Sequence, residues 1–393
     1  MVKVKLNLPI NSTFLSEVIY EGLLYLIKNS DVKYFTRREI EFKENFLKIA
    51  YKELKDYENI KIALTGNDYP NTKKLFEKLN LPNVTSKNLN DLFNKLHENA
   101  NEFIIEKHEI NLIQKIKKNN VLYGIDNKAE GISLQLLKVD RYTGFTSIET
   151  EYITQQLPSY FSKELILIAL LGIYSSYVTS ISLISEKGFR QTHYFLFFSP
   201  EEILILLSKG DFNLLESKLI LKEKMKEIVK ERIKSAHLNE ILLLDINLNL
   251  ELHKNMEKEN LDKLSTLLVK LNPEGQTYKI YEETPITIFR ELVFHKKIKE
   301  YFKNHEKFVE FISNFLNEKS VKAALSSFTS KSDMKETNDL LSGIINLYKF
   351  IVLGDTQSFS EFIRNIWNAY EKTKEEKRGI QYLNLLKSFS YQI

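Results

Sequence analysis

A chain of 393 residues that is 43% hydrophobic, 12% aromatic and 27% charged, with only 12 Gly and 7 Pro, has material for two or three ordinary domains and is neither fibrous nor low-complexity. The absence of cysteine excludes disulfide frameworks, thiolate zinc sites, iron–sulfur clusters and cysteine nucleophiles together, and it fits a cytoplasmic address. Fifty-six basic residues against 52 acidic ones leave a net charge of +4, too mild to signify nucleic-acid binding by itself, so local patches must decide. Eight arginines stand among forty-eight lysines; the skew lowers the weight of any one lysine and raises that of each arginine, whose planar fork suits phosphates and guanine edges.

In chain order, Val2, Val4, Leu6 and Leu8 alternate with polar residues, which predicts an edge-compatible strand and no export signal. Further strands are expected at Ile60–Leu64, Val121–Ile125, Ile132–Lys138, Val178–Ile184 and Thr192–Phe198. Between them, apolar residues return every three or four positions at Thr13–Lys28, Glu39–Leu54, Thr72–Leu79, Leu89–Leu96 and Ile105–Ile116, the spacing of amphipathic helices. The 21 residues Leu165–Ser185 carry no formal charge, long enough to cross a bilayer, but their six Ser and Thr hydroxyls suit a buried helix that runs into a strand. Ser199-Pro200-Glu201-Glu202 is a capped helix start and Gly210 a left-handed stop.

Beyond about residue 230 strand signals nearly vanish, Thr277–Tyr281 excepted. Thr284-Pro285 reads as the start of a helix carrying Ile286, Phe289, Leu292 and Val293. Asp333 with Glu336, and Ser358 with Glu361, read as capping boxes ahead of two more helices, the first ended by Gly354, and Ile380–Phe389 is a last one. The fold class expected is α+β and predominantly helical: a mixed α/β N-terminal domain over 1–230 and an all-helical bundle over 231–393.

No phosphate-cradling glycine loop, dinucleotide fingerprint or nucleophile elbow occurs; Thr65-Gly66-Asn67-Asp68 is the nearest approach to an anion loop. None of the seven histidines has the spacing that lets one element present two metal ligands, so no metal and no cofactor are expected. Catalytic groups could still converge from distant segments.

Three segments mix cations, rings and turn residues, as phosphate neutralisation and base stacking require. The first, Lys138 to Phe145, offers Lys138, Arg141 and Tyr142 beside Gly144. The second, Glu186 to Tyr194, offers Lys187, Arg190, Gln191 and His193, with Arg190 and Gln191 able to read a base edge. The third is the helical run His295 to Phe308 with Lys296, Lys297, Lys299 and Lys303. Each has an ordinary alternative: a hairpin turn for the first two, a wet helix face for the third.

The stretch GISLQLLKVDRYTGFTSIETEYITQQLPSYFSKELILIALLGIYSSYV, followed by RQTHYFLFFSPEEI and a helical C-terminal third, resembles the large subunit of archaeal type I-A CRISPR interference complexes, the Cascade assemblies. The resemblance covers about the central 80 residues and the overall plan, without a diagnostic motif. It implies a non-catalytic subunit of an antiviral surveillance complex. Such a subunit binds the guide RNA 5′ end, contacts the protospacer-adjacent duplex of target DNA, supports the displaced strand and recruits a separate helicase-nuclease, among other complex subunits and away from any membrane. An unfamiliar metal-dependent nuclease and an interaction protein that never touches nucleic acid remain open.

Overall fold

The computed structural model describes residues 1–82, 85–103, 107–142, 157–185, 188–235, 239–290, 304–319, 321–323 and 334–390. The chain divides into two compact units, Met1–Leu219 with Ser265–Pro285, and Ile220–Leu264 with Ile286–Ile393. The expected boundary at residue 230 falls inside a helix, and the first unit takes back a later segment.

The first unit begins with β1 (Val2–Lys5), α1 (Phe14–Asn29), β2 (Val32–Phe35), β3 (Glu39–Phe42), α2 (Phe46–Lys52), α3 (Tyr69–Lys78) and α4 (Leu89–Glu98). Then come β4 (Glu109–Asn111), β5 (Gln114–Lys117), β6 (Asn120–Tyr123), β7 (Ser159–Phe161), α5 (Lys163–Ser176), β8 (Tyr177–Ser185), β9 (Gly188–Phe198) and α6 (Pro200–Lys209). α7 (Phe212–Ser235) leads out of the unit, and the hairpin β10 (Lys263–Glu274) and β11 (Thr277–Phe289) returns to it. The strands form sheets ordered β2-β3-β1-β4, β5-β6-β7 and β11-β10-β9-β8.

The uncharged stretch is, as expected, a buried helix running into a strand. Ser162 caps α5 by accepting the Leu165 amide at 3.1 Å, and β8 follows directly. Among the described residues no helix is long and apolar enough to cross a membrane. α5 packs on α1 so closely that a Cβ on Gly172 would lie 1.7 Å from the Val18 carbonyl oxygen, and one on Gly22 1.9 Å from that of Ile168. Two glycines at the crossing let the backbones touch.

α6 starts as its sequence predicts: the Ser199 hydroxyl accepts the Glu202 amide at 3.2 Å and Gly210 ends the helix at φ 61°. Glu202 is itself buried, ion-paired to the buried Lys218 of α7, and accepts the Ser265 amide of β10 at 2.9 Å. One carboxylate thus ties three elements together.

Several expected elements differ. The run Ile105–Ile116 is not helical where it is described but gives β4 and the start of β5, with Ile110 and Leu112 buried in alternation. Glu39–Leu54 divides into β3 and α2, and Ile60–Leu64 holds only an isolated bridge from Ala63 to Asn88. Ile132 makes one bridge to Phe161 before Gln135–Tyr142 turns in a 3₁₀ conformation.

The chief correction concerns β10 and β11. Leu264, Leu267, Leu268 and Leu271 have helical spacing, yet β10 is an inner strand whose Ser265 and Thr266 are buried too, so no two-residue alternation shows. Pro285, read as a helix start, stands in β11 at the sheet edge, where a missing N–H costs no ladder bond.

The second unit contains α8 (Asn239–Leu248), α9 (Leu250–Lys258), α10 (His305–Asn317), α11 (Thr337–Ile351), α12 (Gln357–Thr373) and α13 (Gly379–Ser390). Its core joins Ile241, Leu244, Phe308, Ile312, Ile344, Phe362, Ile366 and Tyr382, so helices whose sequences alternate at helical period bury one face together. The helix starts differ from the expected boxes. Asp333 lies outside the described residues, and Glu336 is buried against Arg378 at 3.1 Å instead of capping α11. At α12 the capping carboxylate is Asp355, which accepts the Gln357 amide at 3.1 Å and the Ser358 hydroxyl at 2.5 Å, while Glu361 pairs with Arg364.

Candidate nucleic-acid interface

Of the residues picked from sequence, Lys187, Lys296, Lys297, Lys299 and Lys303 lie outside the described residues, as does the segment from Thr143. Arg141 and Tyr142 end the 3₁₀ stretch, and Arg190 stands on β9 opposite Leu183. The remaining three are engaged by the protein itself. Lys138 is buried, its charge acting on the buried Asp68. Gln191 donates to the Lys61 carbonyl at 2.9 Å.

His193 is 1% exposed, so a bound strand finds no ring surface to touch. Its Nδ1 lies 2.6 Å from the Ser180 hydroxyl, which is in turn hydrogen-bonded to that of Tyr177 at 2.7 Å, and its ring faces Tyr278 of β11. Burial lowers its pKa from 6.5 to about 4. The unfolded chain therefore takes up this proton first on acidification: the histidine favours folding above pH 6.5, and that contribution is lost as pH falls from 6.5 to about 4. At 1.36 kcal/mol per unit the loss is about 3 kcal/mol. Chemical denaturation at pH 7.5 and 4.5 should show His193→Gln losing less stability than the wild type by about that amount; equal losses would contradict it.

The turn Thr65-Gly66-Asn67-Asp68 is not open to an anion, because it carries its own. Asp68 accepts the Thr65 amide at 3.1 Å, the Thr65 hydroxyl at 2.9 Å and the Gln135 amide at 2.7 Å. Burial raises its pKa against those bonds.

The arginines sort clearly. Arg232, Arg290, Arg364 and Arg378 are ion-paired to Asp245, Asp262, Glu361 and Glu336. Arg37 and Arg38 are exposed and, among the described residues, form no ion pair. They occupy the β2–β3 turn, whose backbone is held tightly: the Thr36 hydroxyl accepts the Arg38 and Glu39 amides, each at 3.2 Å, and the Arg38 carbonyl accepts the Leu6 amide at 2.8 Å. Two residues earlier, Phe35 touches the α6–α7 joint. A Cβ on Gly210 would come within 2.8 Å of the Phe35 carbonyl, and this close approach seats Phe212 edge-on against the Phe35 ring at 4.8 Å. Phe212 remains 43% exposed. Arg37 and Arg38 thus follow Phe35, on which the exposed Phe212 packs; guanidinium groups suit phosphate contact, and an exposed ring suits base stacking.

A second basic feature is the β5–β6 hairpin. Lys115, Lys117 and Lys118 are exposed, with Lys118 and Asn119 forming a turn at φ 47° and 57°. Lys115 reaches Asp126 at 2.5 Å, and Lys115, Lys117 and Lys107 together hold that carboxyl below its ordinary range, the Lys115 hydrogen bond contributing most. Lys107 also pairs with Glu164 at 3.7 Å, which leaves Lys115, Lys117 and Lys118 beside one exposed acid with net positive charge, and an exposed pair of this kind yields to a phosphate at little cost. The Arg37–Arg38 turn and the exit of β4 toward this hairpin lie at one end of the β2-β3-β1-β4 sheet, since Lys5 pairs with both Glu39 and Asn111. Sequence reading passed over both features. The adjacent arginines were the available signal, whereas the second strand of the hairpin was expected at Val121–Ile125 but its first strand began inside the run Ile105–Ile116 read as helix.

Among the described residues no three His, Asp or Glu side chains are grouped so as to hold a metal ion. No family model and no solved structure matches this chain. An uncharacterized protein of Archaeoglobus fulgidus is 41% identical over 404 residues, covering the whole of both chains. At that identity over the full length, the chain belongs to the same family as this archaeal protein.

Proposed function

We propose that the chain is a non-catalytic, nucleic-acid-binding subunit of an RNA-guided surveillance complex of the type its central stretch resembles. In this reading it works in the cytoplasm, holds guide RNA and target DNA beside other complex subunits, and leaves strand cleavage to a separate helicase-nuclease. The observation that supports the reading is that Arg37 and Arg38, on the turn that follows Phe35, are exposed and form no ion pair among the described residues. Arg232, Arg290, Arg364 and Arg378 are neutralised by carboxylates, whereas Arg37 and Arg38, on a tightly held turn, have no carboxylate partner among the described residues, which suits them to phosphates.

Fluorescence anisotropy with the purified chain, using labelled single-stranded RNA and a DNA duplex, tests this. Arg37→Glu with Arg38→Glu should weaken binding at least about tenfold, since each lost charge-assisted contact is worth on the order of 1.5 kcal/mol. Unchanged affinity would remove these residues from the interface. Divalent-metal-dependent cleavage of either probe by the isolated chain would favour the nuclease reading instead.

A further inference from the structure

β11 ends the sheet β11-β10-β9-β8, and among the described residues no strand lies beyond it. Its run from Thr277 to Pro285 belongs to the first unit. Along that run Tyr278 is buried and Ile280, Glu282 and Thr284 are half-buried, while Lys279, Tyr281, Glu283 and Pro285 on the opposite face are exposed. Tyr281 leaves a large ring 62% exposed beside an open edge.

Backbone direction alternates as well. Pro285 has no N–H and so takes a position whose ladder groups face away from β10. Five residues on, at the opposite parity, Arg290 gives its amide to the Asp262 carbonyl at the foot of β10, at 2.9 Å. By the two-residue repeat Glu283, Tyr281 and Lys279 share the direction of Pro285 and turn their N–H and C=O groups outward, a template for one more strand.

We propose that a second copy of this chain supplies that strand: β11 pairs antiparallel with itself, Tyr281 lying on the two-fold axis, and two four-stranded sheets join into one of eight. The order of charges carries the choice of partner. About Tyr281 the edge is self-complementary, because Lys279 stands opposite the other copy's Glu283 twice and the two tyrosines face each other. Glu283 forms no ion pair among the described residues, and Lys279 holds Glu274 at 2.5 Å in an exposed contact that gives way at small cost. On the other face Ile280 stands opposite Glu282, whose carboxylate Lys270 holds at 3.7 Å. Moving the axis by one residue, to Ile280 or Glu282, loses the match of Lys279 with Glu283. Pro285 falls opposite Thr277, at the two ends of the paired run, so its missing N–H stops the ladder there without interrupting it. One strand pair is a small interface, and the dimer is accordingly a weak one.

Sedimentation equilibrium of the full chain between about 1 μM and 1 mM, the range of weak association, tests the assignment and should show a monomer–dimer equilibrium. Lys279→Glu and Glu283→Lys each set like charges opposite one another twice and should weaken dimerisation at least about tenfold, whereas the two together should restore it. Because the chain has no cysteine, Tyr281→Cys introduces a single thiol per copy. Across a hydrogen-bonded antiparallel pair the Cα atoms lie about 5.5 Å apart, a separation that suits a disulfide, so mild oxidation should yield a covalent dimer. Lys115→Cys, on the exposed β5–β6 hairpin, is the control and should cross-link far less. Arg37→Glu with Arg38→Glu should leave dimerisation unchanged, which keeps this result separate from polyanion binding. A chain that stays monomeric throughout would overturn the proposal and leave the edge to an unlike strand. A double charge exchange no better than either reversal, or control thiols that cross-link as readily as Tyr281→Cys, would overturn it too.

Discussion

Gly172→Ala is expected to lower the melting temperature by about 10 °C or more, or to abolish folding of the first unit. The added methyl would lie 1.7 Å from the Val18 carbonyl oxygen and 2.9 Å from the Gly22 amide nitrogen, and both belong to a helix backbone that cannot move aside as a side chain does. Overpacking in a core costs roughly 1–3 kcal/mol even where side chains can yield. Here α1 and α5 must separate along a face that buries Val18, Ile19, Leu23, Ile168 and Leu171, so at least about 3 kcal/mol is expected, at roughly 2–4 °C per kcal/mol for a unit of this size. Gly22→Ala meets the same crossing from the other side, 1.9 Å from the Ile168 carbonyl oxygen. Once one substitution has parted the helices the second adds little, so the double variant should fall well short of additivity. Gly66→Ala, whose methyl would meet nothing nearer than 3.8 Å, is the control and should change stability by less than about 0.5 kcal/mol. Thermal unfolding of the four variants decides the matter; a Gly172→Ala protein as stable as Gly66→Ala would refute the close crossing.

Lys218→Met should cost about 3–5 kcal/mol, because it leaves the Glu202 carboxylate buried without its cation. The penalty comes from the orphaned charge more than from the lost attraction, so a second change should recover part of it. Glu202→Gln keeps an oxygen to accept the Ser265 amide and the Ser199 cap is untouched, and the double variant should be more stable than Lys218→Met alone by about 2 kcal/mol. Urea denaturation of the wild type, the single variants and the double variant measures this. A double variant as unstable as the sum of its parts would show that the pair is not coupled.

Much of the helical architecture was legible because its signals are local. The Ser199 cap, the Gly210 stop and the passage of the uncharged stretch from helix to strand each depend on a few neighbouring residues. The β10–β11 hairpin was not legible. An inner strand covered on both faces loses the two-residue alternation, and Pro285 carries the same local signal at a strand edge as at a helix start. That miss spread to the candidate site: His193 looks like a loop-edge donor in sequence, but it is sealed partly by Tyr278 of β11, a strand that the sequence hid. Arg37 and Arg38 were visible as residues, and their importance follows only from the carboxylates that claim the other arginines, Arg364 locally but Arg232, Arg290 and Arg378 from 13 to 42 residues away.

The central claim, that dispersed surface cations of the first unit hold a polyanion, is tested most directly by the salt dependence of single-stranded RNA binding. With Arg37, Arg38, Lys115 and Lys117 each neutralising a phosphate, log K should fall against log salt with a slope of about −3, at roughly −0.7 per contact. Reversing both arginines should flatten it by about 1.4. RNA binding with no salt dependence, or a slope that the wild type and the double arginine reversal share unchanged, would contradict the account.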